Sequence, residues 1–276
     1  MLDAYRGGVR AALERWPLIA ALWAIELGFG AIFAVASATW LSAALEGSLA
    51  TRTLLQDLDA DVLVDLWYHH REGLHMLIVL GVVLAGLHWL AWCWLYGVVV
   101  SALDDRPQSP WQRGIGLAPA MARVSVIALA VWALLSAAVI IAGWGLLYAL
   151  RESPSALLPY QAGAGLAVVW ALATVWAVAV HDHARLRLAA NGGRALDAYR
   201  WALAFVARGR RGAFLLACLL QASALAVWAG YQVINRSVSP LDLVGLTGAV
   251  LWGQVFLLAR CGIRVWFMAA QGRVQG

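Results

Sequence analysis

The chain has 276 residues, 63% of them hydrophobic and 13% charged, with a net charge of +5 and arginine as its only strongly basic residue type. Soluble domains average about 45–50% apolar and about 25% charged residues, so a water-facing globular fold is excluded. Short segments of alternating polarity are absent, which also excludes an outer-membrane barrel.

A basic, partly amphipathic stretch at 5–16 precedes the first of six apolar runs, at 17–39, 77–101, 124–150, 163–180, 213–234 and 243–259. Each has about the 17–27 residues that a helix needs to cross a ~30 Å hydrocarbon core. The first is too long for a signal-peptide core and lacks a cleavage site, which predicts a retained anchor. Within it Glu26 stands roughly 15 Å along the helix from Trp16, near mid-membrane, where an ionisable group faces protein or water. His88, Gln221 and Gln254, in runs two, five and six, come at comparable depths, so the four side chains predict one polar layer. That layer is either a proton- or substrate-handling centre, with Glu26 as carrier and His88 as partner, or a neutral carboxyl hydrogen-bonded for helix association.

The segment 41–76 is the longest loop. Leu55, Leu58, Val62 and Leu66 make an apolar stripe, and Asp57, Asp61 and Asp65 make an acidic one at four-residue steps, continued by His69. Like charges four apart destabilise a helix by a few tenths of a kcal/mol per pair, which invites a cation. Two readings follow: a metal site from Asp65, His69 and Glu72, with His75 close by, or the solvated face of an outer helix at 53–72. His69-His70-Arg71-Glu72 lacks the two histidines four apart of a zinc-binding helix. No other cofactor is indicated.

A second basic stretch, 111–123, precedes run three, and a third, 194–211, precedes run five. In the third, Leu196, Tyr199, Leu203 and Val206 recur at helical spacing among Arg194, Arg200, Arg208, Arg210 and Arg211. This predicts a helix lying in the membrane interface, its arginines on anionic headgroups or a partner protein. The unit is then an interfacial helix followed by two spans, used three times. After run four, Asp182 paired with Arg185 or Arg187 predicts a turn, and His181 and His183, two residues apart, point to different helix faces.

At Asp182-His183-Ala184-Arg185-Leu186-Arg187, with the basic helix after it, the chain resembles six-helix bacterial membrane proteins. Among them is the membrane domain attached to some glycerophosphodiester phosphodiesterases. The resemblance implies a six-helix membrane domain. The phosphodiesterase domain has no counterpart in this sequence, so no catalytic residue carries over.

Sixteen of the twenty arginines fall before run one, between runs two and three, between runs four and five, and after run six. Only Arg52, Arg71, Arg151 and Arg236 lie in the other loops. The positive-inside rule then places both termini in the cytoplasm of a bacterial inner membrane. The arginines track helix ends, which argues against a nucleic-acid partner. Cys93, Cys218 and Cys261 read as packing residues, and Gly28/Gly30, Gly81/Ala85 and Gly143/Gly145 as places of close helix approach. No phosphate-binding loop or nucleophile–base signature is present, so an enzyme has little support. The sequence predicts a single all-α polytopic domain over 1–276, a six-helix bundle with interfacial helices on the cytoplasmic side. Its predicted role is an accessory or structural membrane component that contacts lipid, a membrane-protein partner or a second copy. The alternative is a small transporter or channel built on Glu26, and a third reading is a metal-dependent enzyme at the outer surface.

Overall fold

The structure is a computed structural model that describes residues 1–45, 60–104, 108–151, 157–208, 212–237 and 243–275. Among these residues are nine helices and no strand. They are α1 (Leu2–Glu14), α2 (Trp16–Ala44), α3 (Ala60–His69), α4 (Arg71–Ala102), α5 (Pro110–Leu150), α6 (Leu158–Asn191), α7 (Ala195–Ala207), α8 (Ala213–Ser237) and α9 (Leu243–Gln275). The six helices α2, α4, α5, α6, α8 and α9 are long and apolar enough to cross a membrane. Only 6–22% of the most apolar stretch of each is buried by protein, and Ile32, Val82, Leu134, Val168, Leu225 and Leu251 are all exposed. Soluble proteins rarely expose apolar patches beyond a few hundred Å². Lipid is the solvent that such helices require, and the chain is an all-α polytopic membrane protein.

Local chemistry accounts for several helix ends. Pro17 and Pro110 stand in the first turns of α2 and α5, where a missing N–H leaves no bond unmade. α6 stops at Asn191 because Gly192 and Gly193 follow with φ of 66° and 94°, a region closed to most side chains.

Three helices run well past the apolar stretches. α5 begins at Pro110, so the basic stretch 111–123 is the first third of a 41-residue helix and not a separate interfacial one. Pro119 removes one backbone donor there without ending the helix. α6 runs unbroken through 181–191, so Asp182, Arg185 and Arg187 lie on a helix and form no turn. No glycine or proline stands between Gly165 and Gly192 to stop it. α9 continues from 259 to Gln275, so Arg260, Arg264 and Arg273, beyond the apolar run, are helical positions. The first and third basic stretches do form helices of their own, α1 and α7. On α7 the buried face is Ala198, Tyr199, Ala202, Phe205 and Val206, while Leu196 and Leu203 are exposed beside Arg194, Arg200 and Arg208. Small alanines permit closer packing than the leucines on which the sequence reading relied.

The chain forms two compact units. The first comprises Met1–Glu14, Cys93–Ser223 and Trp266–Gly276. Its core gathers Leu188, Tyr199, Ala202, Leu216, Leu220 and Ala270. The Tyr5 hydroxyl shares a hydrogen bond with Ser223 Oγ at 2.8 Å, and Trp266 Nε1 donates to the Tyr5 carbonyl at 3.0 Å, which ties α1 to α8 and α9. Backbones approach closely where Gly114 faces Gly97 and Val98, and at Gly8. A Cβ on Gly114 would press on Val98 Cγ2 and lie 2.9 Å from the Val98 nitrogen; one on Gly8 would lie 2.7 Å from Ala270 Cβ. Among the expected glycines, Gly28, Gly30 and Gly145 have no neighbour within 4 Å at that position. Gly114→Ala should therefore cost about 1–3 kcal/mol by forcing α4 and α5 apart. Gly145→Ala should leave stability unchanged or slightly higher. Denaturant unfolding in detergent distinguishes the two.

The second unit comprises Arg15–Trp92 and Ala224–Val265, which contain α2, α3 and parts of α4, α8 and α9. Phe33 of α2 packs against Gly81 of α4. Tyr231 of α8 stacks on Trp252 and Phe256 of α9, with ring centroids 6.2 and 4.3 Å apart.

Candidate functional site

Within the second unit, α2, α4 and α9 converge on one carboxylate. Glu26 lies ten residues into α2, on a turn flanked by leucine, glycine and phenylalanine, and helical geometry alone directs it toward its neighbours. Its Oε1 accepts from Trp92 Nε1 at 2.6 Å, Arg264 NH1 at 2.9 Å and His88 Nε2 at 3.0 Å. His88 and Trp92 are one turn apart on α4, so both rings reach the same oxygen. The Arg264 guanidinium also lies over the Trp92 ring, 3.8 Å from its centroid. The Glu26 side chain is 11% exposed and that of Arg264 23%. A carboxylate so placed needs its charge matched, and Arg264 supplies the positive charge through Oε1.

One side of this cluster is open. A cavity of about 590 Å³ is lined by Glu26, His88 and Gln254 at its polar part and by Phe29, Leu84 and Leu257 among its apolar walls. Gly30, Ala31, Ala34 and Ala85 complete much of the wall, and their small side chains leave the space unfilled. Gln254 uses its carbonyl to accept from Trp23 Nε1 at 3.2 Å. Among the described residues no partner meets Glu26 Oε2, the Gln254 amide nitrogen or His88 Nδ1. The arrangement therefore offers unfilled hydrogen-bonding groups at one end of an apolar space.

Of the four side chains in the expected polar layer, three are brought together: Glu26 and His88 touch, and Gln254 lines the same cavity. Gln221 is on α8 in the first unit and is not among the cavity's lining residues. Sequence reasoning missed Arg264, Trp92 and Trp23. Arg264 was placed beyond run six, although Arg260 and Arg264 stand four apart with apolar Cys261, Val265 and Met268 between and beyond them. That pattern reads as a continuing helix.

A second polar cluster lies in the first unit. Asp182 and Arg185, one turn apart on α6, pair at 3.5 Å. Asp182 accepts from Gln271 Nε2 at 3.1 Å, and Arg185 donates to Ser125 Oγ at 3.1 Å and lies 3.5 Å from the Tyr96 ring centroid. His183 meets Gln275 through Nδ1 at 2.9 Å and packs on Phe205. Asp182, His183 and Arg185 are 7%, 0% and 6% exposed, which makes this a packed hub rather than a binding space. Burial pushes the nearby Tyr199 hydroxyl above its ordinary pKa, partly offset by the Arg185 guanidinium. Arg187 lies over the Trp201 ring at 4.9 Å instead of joining the pair.

The expected metal ligands divide. His69 ends α3 and Glu72 begins α4, with His70 breaking the helix between them, and both line a pocket of about 380 Å³ with Trp40, Tyr68 and Arg71. His75 packs edge-on against Trp67. The Asp65 side chain, like Asp57 and Asp61, lies outside the described residues, and among those described no group of three His, Cys, Asp or Glu side chains comes together. Of the basic residues on and around α7, Arg194, Arg200 and Arg208 are exposed, and Arg210 and Arg211 lie outside the described residues. No protein-family model matches the chain, and comparison with curated proteins and with solved structures returns no match.

Proposed function

We propose that the chain is a small transporter of the bacterial inner membrane, both termini cytoplasmic, with the Glu26 cavity as its binding station. The observation that supports this reading is the cavity that reaches Glu26, bounded by Glu26, His88 and Gln254. A cluster kept only to hold helices together has no need of an adjoining space of about 590 Å³, a size within the range of small-molecule sites. An ionisable residue within a spanning helix that faces a cavity is a functional feature by default. Glu26 would hold the solute or its coupling proton, His88 would share it, and Arg264 and Trp92 would keep the carboxylate oriented.

Water access tests the reading. In protein with Cys93, Cys218 and Cys261 changed to alanine and reconstituted in liposomes, Ala85→Cys should react with a charged maleimide much faster than Leu134→Cys. Ala85 lines the cavity and Leu134 is an exposed apolar position on α5. Equal rates at the two positions would contradict it.

The exposed Arg194, Arg200 and Arg208 favour a second reading, in which α7 holds anionic headgroups or a membrane partner and the protein serves as an accessory component. The two readings use different surfaces. The resemblance to the membrane domains of some glycerophosphodiester phosphodiesterases is compatible with either.

A further inference from the structure

We infer that the solute taken by the Glu26 cavity is a small lipophilic amine: an ammonium head against Glu26 and an apolar body along the cavity wall. This rests on the reading of the cavity as a binding station and deepens it to a chemical class.

The head follows from the donors and acceptors left over. Trp92 and Arg264 can only donate, and both donate to Glu26 Oε1. His88 Nε2 lies 3.0 Å from that same oxygen and 3.0 Å from Trp92 Nε1, so it too is engaged within the cluster. The cluster thus keeps one unfilled carboxylate acceptor, Glu26 Oε2, among the described residues. A hydroxyl fills it with a neutral hydrogen bond. An ammonium fills it with a charge-assisted one, roughly twice as strong.

Charge points the same way. Glu26 is the only acidic or arginine side chain among the residues that line the cavity, and its carboxylate is negative. Arg264 reaches the carboxylate through Oε1 and is not part of the lining. A cation at Oε2 is therefore nearer to the carboxylate than to the guanidinium, so Coulomb attraction exceeds repulsion at any common dielectric. For an anionic head the signs reverse, and the nearer charge repels it.

The body follows from the walls. Leu27, Phe29, Leu84, Val250 and Leu257 are apolar, and the alanines and glycines between them set the width. A ligand with an aromatic or short aliphatic body removes this surface from water or lipid.

The test uses three near-isosteric probes, 4-phenylbutylamine, 4-phenylbutanol and 4-phenylbutyrate, titrated calorimetrically into the full chain in dodecyl maltoside at neutral pH. The amine should bind about tenfold or more tighter than the carboxylate, with the alcohol between, a gap of about 1.4 kcal/mol. In the Glu26→Gln/Arg264→Met double variant, which removes both charges together, the amine should lose its advantage over the alcohol. Gly30→Leu should abolish binding of all three without loss of fold, because Gly30 lines the cavity and has no neighbour within 4 Å of its Cβ position. Equal affinities for the three heads, or a preference for the carboxylate or the alcohol, would overturn the amine and leave the binding station standing. Failure of all three to bind would overturn both.

Discussion

Arg264→Ala should destabilise the protein by roughly 3–5 kcal/mol, the cost of removing one partner from a buried ion pair. The size comes from what is left behind and not from the attraction that is lost. Glu26 is 11% exposed at its side chain, so water entering from the cavity replaces the guanidinium only in part, and the two remaining donors, Trp92 and His88, supply no fixed positive charge. The Trp92 ring also loses the cation lying 3.8 Å from its centroid. Two comparisons identify the cause. Glu26→Gln added to Arg264→Ala should restore most of the loss, because the stranded charge is gone. Arg260→Ala, one turn away on α9 and exposed, should stay within about 0.5 kcal/mol of the parent. Thermal unfolding in detergent measures all three.

Asp182→Ala should cost a similar roughly 3–5 kcal/mol for the same reason in the first unit. Arg185 is 6% exposed and would keep its contacts with Ser125 and Tyr96, both uncharged, while losing the carboxylate 3.5 Å away. Gln271 would lose its acceptor at the same time. Asp182→Asn should be milder, since an amide oxygen still receives the Gln271 proton. Asp197→Ala on α7, at an exposed position, should change the melting temperature little. A result in which Asp182→Ala and Asp197→Ala behave alike would remove Asp182 from its place as a hub.

The spans were legible because a length of apolar sequence is a one-dimensional property and lipid imposes it directly. Helix ends were less legible where polar residues continue a helix without a breaker. Asp182 to Arg187 looks like a loop by composition, yet the backbone has no reason to turn until Gly192. The same effect placed Arg264 beyond the end of run six. Glu26 was visible as a charge in an apolar run, and His88 as its partner by depth. The third partner was hidden because its charge fitted the positive-inside count equally well on either side of the helix end. The glycine expectation held at Gly81 and Gly143, which meet Phe33 and Leu166, and not at Gly28, Gly30 and Gly145. Gly28 and Gly30 form a pattern that suggests contact, but which face of a helix meets a neighbour is a tertiary fact, and Gly30 instead leaves room in a cavity wall. Gly8 and Gly114, each isolated from any small-residue pair that was singled out, carry the close approaches.

The Glu26–Arg264 pair serves a binding task, and architecture alone does not require it. Buried ion pairs replaced by uncharged groups of similar size are often neutral or stabilising, so the measurement is made on Glu26→Gln/Arg264→Met. This variant keeps an acceptor for Trp92 and His88 and removes both charges. The double variant should unfold at or above the temperature of the parent while losing its selective affinity for 4-phenylbutylamine. A double variant several kcal/mol less stable than the parent, with amine binding unchanged, would show that the cluster holds helices together and that the cavity beside it has another purpose or none.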